Sequence, residues 1–316
     1  MNLPLFNLSQ FLEEFLRELG ELLEKAGSRN SEYEYFFRGE AKTHPDVRPS
    51  LYSKEYFIQN EDYLFKECLR MWPQEFENEH TTFEKLARMQ HFSLPTRLLD
   101  ITGNPLVALF FASQERKNRC NGEGEEQDGR IVVLRVPKKK IKFYDSDTVS
   151  AISNIAKLGY HDLDILECVK HTHEEDTTFT KRFNKKHMEY LLHEIKAEKP
   201  YYKPIIRKED LESVWCVKPL LKNIRLIRQD GLFLLFGIKG KKGIFAPIRE
   251  WTPGENDDDI AISKVFTIPA QNKHKIRRNL EYMGFSTDKL FPGLEEASKY
   301  LKQKVQEIPL SEDPIV

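Results

Sequence analysis

Apolar residues recur at helical spacing over residues 8–26, where Leu8, Leu12, Phe15, Leu16, Leu19, Leu22 and Leu23 share one face of a predicted amphipathic helix. Gly27 stands where such a helix ends. Residues 32–39, EYEYFFRG, alternate charge with aromatics and predict a strand closing at Arg38-Gly39. A helical pattern covers 49–72, and Thr81-x-x-Glu84 is a capping box for a helix that Pro95 ends. Asn104-Pro105 predicts an N-cap and first turn for an almost wholly apolar helix over 105–112. The segment 91–104 is thereby expected to be a loop between two helices. Residues 121–129 predict another loop, and 130–136 a strand. Helices are expected over 147–158, 163–169 and 183–195. Strand patterns return at 214–217, 224–227, 232–236 and 262–268, with a hairpin turn at Asp230-Gly231 or a polar site at a strand end there. Helices at 270–283 and 294–305 close the chain.

This mixture predicts an α+β fold, a mixed β-sheet core with packed helices and a helical insertion over about 146–212. No linker or repeat divides the pattern, so one domain over 1–316 is expected, with a strand-helix extension at 260–316.

The polar content of 90–104 changes the picture. His91, Thr96, Arg97, Asp100, Thr102 and Asn104 crowd the approach to the apolar helix, more polar groups than a purely core-building segment carries. Arg38 projects from an early strand end, and Gly39 permits close backbone approach there. The 316 residues balance 49 Lys+Arg against 50 Asp+Glu, a net charge of −1 that argues against a general nucleic-acid or membrane-surface binder and leaves room for a local basic patch. No apolar run reaches the ~18 residues of a membrane helix. Cys68, Cys120, Cys168 and Cys216 are scattered without a CxxC pair and fit reduced thiols in a cytoplasmic protein. His171, His173, His187 and His193 lack helical zinc spacing, so no metal is expected.

FFRG at 36–39, then QHFSLPTRLLD at 90–100, then the strand GRIVVLRV, together resemble the FRG domain family, named for its (F/Y)RG motif. A third pattern, I-R-x-x-x-Q-x-G-x-F, is matched by Ile224, Arg225, Gln229, Gly231 and Phe233. The resemblance spans about 30–236. It departs at Ser93, where glycine is frequent, and at Ile101, where an aromatic is common. It implies a bacterial or phage setting near defence genes and leaves the activity open.

Three readings of the chemistry stand. In the first, the layout is similar to ADP-ribosyltransferases. Arg38 and Gly39, with His91, Thr96 and Arg97, would bind NAD or another nucleotide-type molecule. Asp100, Gln229 and Asp230 would act at the ribose, where positive charge develops. NAD would be a substrate, not a resident cofactor, and a protein partner or activator could supply the trigger. In the second, a metal-independent phosphodiesterase or nuclease, His91 would be the base, Arg38 and Arg97 the phosphate clamp and Asp100 the orienting group. In the third, a non-catalytic binding or interaction domain, Arg97 and Asp100 pair within one helical turn capped by Thr96.

Overall fold

The structure, a computed structural model, describes residues 8–27, 32–116, 125–165, 183–185 and 188–293. Ten strands are described: β1 (Tyr33–Glu40), β2 (Leu98–Thr102), β3 (Gly129–Pro137), β4 (Ile141–Phe143), β5 (Val214–Lys218), β6 (Gly231–Phe236), β7 (Ile238–Lys239), β8 (Lys241–Phe245), β9 (Arg249–Glu250) and β10 (Ala261–Ile268). Eight form one mixed sheet in the order β4-β5-β6-β2-β1-β3-β10-β9, and β7 pairs with β8 beside it. The four strands expected around 33, 130, 214 and 232 therefore share one sheet.

The helices are α1 (Leu8–Gly27), α2 (Glu55–Gln59), α3 (Glu61–Met71), α4 (Thr82–His91), α5 (Pro105–Ala112), α6 (Asp147–Ser153), α7 (Glu189–Glu198), α8 (Lys208–Leu211), α9 (Ile224–Arg228), α10 (Lys273–Tyr282) and α11 (Thr287–Leu290). The capping box forms as the sequence predicts, with the Thr81 hydroxyl accepting from the Glu84 amide and the Glu84 carboxylate accepting from the Thr81 amide. Asn104 caps α5 by accepting from the Leu106 amide.

Several expectations need correction. The supposed loop at 91–104 contains β2, an inner strand of the sheet. Residues 224–227 form the helix α9, because Asn223 caps that turn and Leu226 is the side chain that packs on the core, while both isoleucines stay exposed. Asp230-Gly231 joins α9 to β6, so it is no hairpin turn. Residues 163–165 run as extended chain, with Asp164 bridged to Lys241. The expected elements at 166–169 and 294–305 lie outside the described residues.

Strand alternation decides where the layers go. One face of the sheet carries a single apolar cluster running across both halves, from Phe36, Val132 and Leu134 to Leu99, Ile101, Leu232 and Leu234. The opposite face carries two clusters. Leu98, Phe233, Leu235, Trp215 and Val217 pack under α4, α6 and α7, the last two belonging to the expected helical insertion. Phe37, Ile131, Val133, Phe266 and Ile268 pack under α1, α5 and α10. The two helical layers part over the junction of β2 and β1, where the strands share one registered pair, Phe37↔Thr102.

Glycine sets the height of α5 above the sheet. A Cβ on Gly39 would stand 1.8 Å from the Ala108 carbonyl oxygen, and one on Gly129 2.0 Å from that of Ala112. The close approach expected at Gly39 is made by the backbone of α5.

Candidate functional site

Asp100 is the third residue of a five-residue inner strand whose other members are buried, yet its side chain is exposed. Alternation places it on the same face as Leu98 and Thr102, between the two helical layers. It is exposed at the base of the gap between them, a cleft that lies outside the larger groove beside His91. Gln90, from the last turn of α4, fixes the carboxylate: its Nε2 donates to Asp100 Oδ2 at 2.8 Å. The Gln90 Oε1 in turn accepts from the Thr96 hydroxyl at 2.7 Å, and the Leu98 amide donates back to that hydroxyl oxygen. Thr96 is thus buried, and it positions Gln90 rather than touching a ligand.

His91 follows on α4 and is half-buried. Its Nδ1 lies 3.3 Å from Asn223 Nδ2. Withdrawal from water, with the charges of Arg225 and Arg88, pushes the imidazole below the ordinary histidine value against the opposing pull of Asp100. Beside it opens a groove of about 810 Å³ that runs along α4 between the segment before that helix and the segment leading into α9, lined by Phe83, Arg88, His91, Lys222, Asn223 and Leu226 among others. Arg225 sits between the layers, its guanidinium carbon 4.8 Å from the Phe291 ring centroid and its Nε 3.5 Å from Gln229 Oε1. The sequence placed Arg225 in a motif without giving it a role. Its proximity to His91 depends on the fold of α9 as a helix.

The remaining expected site residues do not converge on this cleft. The Arg97 side chain is 0% exposed. Its Nε and Nη2 donate to the two oxygens of Glu61, and its Nη1 to the Phe236 carbonyl. Lys242, also fully buried, lies 3.1 Å from the same Glu61 carboxylate and donates to the Leu158 carbonyl. Arg97 therefore lines no phosphate site. It also forms no helical pair with Asp100, because Asp100 lies in β2 and Arg97 in the bend before it, and each takes other partners.

Arg38 follows Phe36 on the face opposite Asp100's carboxylate. Its Nε donates to Glu40 Oε1 at 2.8 Å, and its Nη1 reaches across the parting strands to the Asp100 backbone oxygen at 2.7 Å. Arg130 holds the other oxygen of Glu40. Burial alone would raise the Glu40 carboxyl, but the charges of Arg38 and Arg130 outweigh it and hold it below the ordinary carboxylate range. Arg38 braces the β1–β2 junction.

Gln229 is buried as well, its Nε2 donating to the Leu290 carbonyl and its own carbonyl accepting from the Thr102 hydroxyl. Asp230 is exposed in left-handed backbone, φ 45°, and its carbonyl accepts from the Gly103 amide. Its carboxylate lies where a Cβ on Gly103 would stand, so it remains at the cleft's end by β2. Among the described residues no three His, Cys, Asp or Glu side chains are grouped to hold a metal, and no helix is long and apolar enough to cross a membrane. His171, His173 and His187 lie outside them, as do Cys120 and Cys168.

The fold and cleft define an α+β protein with an exposed, anchored carboxylate on an inner strand. Residues 33–120, which supply β1, α4, β2 and α5, match the family model of the FRG domain, so the chain carries an FRG domain there. No curated protein and no solved structure matches the chain.

Proposed function

We propose that the cleft over Asp100 binds a nucleotide-type small molecule, and that its chemistry is ADP-ribosyl transfer from NAD in a bacterial defence or toxin setting in the cytoplasm. The observation that carries this reading is the exposed Asp100 carboxylate, fixed by Gln90 and acting on His91, which also feels the charge of Arg225. In such a transfer nicotinamide leaves with the electron pair of its bond to the ribose. The ribose carbon gains positive charge, and an acceptor forms the new bond and loses a proton. A fixed carboxylate stabilises that charge. Arg225 supplies a cation suited to pyrophosphate oxygens. Asp230 is a second carboxylate within the cleft's reach, whereas Gln229 has its amide committed to Leu290.

Calorimetry with NAD, paired with nicotinamide release, tests the proposal. Asp100→Asn keeps the shape and is expected to bind NAD while losing turnover by ~100-fold. Unchanged turnover removes the carboxylate from the reaction. No binding at millimolar NAD sinks the transfer reading and favours a non-catalytic interaction domain. One observation supports that second reading, since Arg38 and Arg97 both have partners within the chain.

A further inference from the structure

Asn223 is the N-cap of α9, and its Oδ1 accepts from the Arg225 backbone amide at 2.9 Å. A backbone N–H only donates, so the oxygen of the Asn223 side chain must occupy that side. Its Nδ2, which carries two hydrogens and accepts nothing, is then the atom 3.3 Å from His91 Nδ1. For that contact to be a hydrogen bond, Nδ1 must offer its lone pair. In a neutral imidazole the proton then resides on Nε2.

We infer that His91 is held as the neutral Nε2–H tautomer, that Asn223 is the positioning residue setting it, and that the groove offers a hydrogen-bond donor to an acceptor oxygen such as a carboxamide or phosphate oxygen. Only the naming of that acceptor rests on the ligand-binding reading above. Charging the ring would set an Nδ1–H against the Asn223 amide hydrogens. The surroundings favour the neutral form: withdrawal from water acts first, then Arg225 of α9 and Arg88 of α4, with Asp100 of β2 opposing. Lys222 and Glu84, which line the same groove, are paired with each other at 2.6 Å. An Nε2 that already carries its proton donates and does not abstract, which removes His91 as general base for phosphodiester cleavage.

The test needs no ligand, so it fails or succeeds independently of NAD turnover. Long-range ¹H–¹⁵N spectra of the full chain, with His91 assigned by its loss in His91→Gln, report the tautomer at about pH 7. Nε2–H is expected; a predominant Nδ1–H or a charged ring overturns the inference. Asn223→Asp keeps a capping oxygen for α9 but turns a carboxylate oxygen toward Nδ1. It is expected to move the proton to Nδ1 and the titration to higher pH. If this variant leaves both unchanged, Asn223 does not set the tautomer. Should it fail to fold, the spectrum of the natural chain still decides the tautomer.

Discussion

The guanidinium of Arg97 and the carboxylate of Glu61 meet in a fork, Nε to Oε1 at 2.8 Å and Nη2 to Oε2 at 2.5 Å, sealed from solvent. Bidentate geometry and the added Lys242 contact satisfy charges that burial would otherwise make costly. The Tyr52 hydroxyl beside them has its pKa pushed up to about 12, chiefly by burial. Arg97→Ala leaves Glu61 with Lys242 alone and is expected to cost about 3–5 kcal/mol in chemical denaturation. A loss below about 1 kcal/mol would show that the fork contributes little.

The same carboxylate gives an acid limb. Burial would raise the Glu61 pKa, but Arg97 and Lys242 outweigh it and hold it below the ordinary 4.5. A depressed folded value contributes stability that is present above the unfolded value and lost as pH falls through the folded one. Urea midpoints should therefore hold, as far as Glu61 is concerned, down to about pH 4.5 and then fall. Glu61→Gln should lower the neutral plateau and flatten that fall. An equally steep limb in the variant would assign it to other carboxylates.

Gly39→Ala tests why the family motif ends in glycine. The new methyl would meet the Ala108 carbonyl at 1.8 Å, a backbone atom fixed within α5. We expect destabilisation of about 3 kcal/mol or more, or failure to fold. A variant of natural stability would mean that α5 can lift from β1.

Ser93 occupies left-handed backbone, φ 64°, at the motif position where glycine is frequent. That conformation costs a side chain about 1 kcal/mol, partly offset because serine restricts the unfolded chain. Ser93→Gly should gain about 0.5 kcal/mol and Ser93→Val lose more than about 1 kcal/mol, read from denaturation midpoints. A destabilised Ser93→Gly would contradict this account.

Local chemistry was legible wherever a few adjacent residues decide the outcome. Thr81 with Glu84, and Asn104 with Pro105, announce their helices because each cap closes within one turn. β2 was hidden because Asp100 interrupts its apolar run, and the reason lies in the gap between helical layers, which no local pattern records. Arg97 looked like a ligand-binding arginine because its partners are remote, Glu61 at 36 residues and Phe236 at 139. Asp100 was legible as a candidate. Its support by Gln90 and Thr96 was already present in the motif, but the sequence could not say which groups touch.

The thin pairing of β1 with β2 bears on how the family segment relates to the whole. β1 is zipped along its full length to β3, and β2 to β6, while the two share one pair with each other. Both principal partners lie beyond residue 120, where the family match ends. Cut out by itself, the segment would carry two strands with bare hydrogen-bonding edges and little holding one to the other. It acts as a clasp, one prong in each half of the sheet, and it takes shape through the strands it fastens.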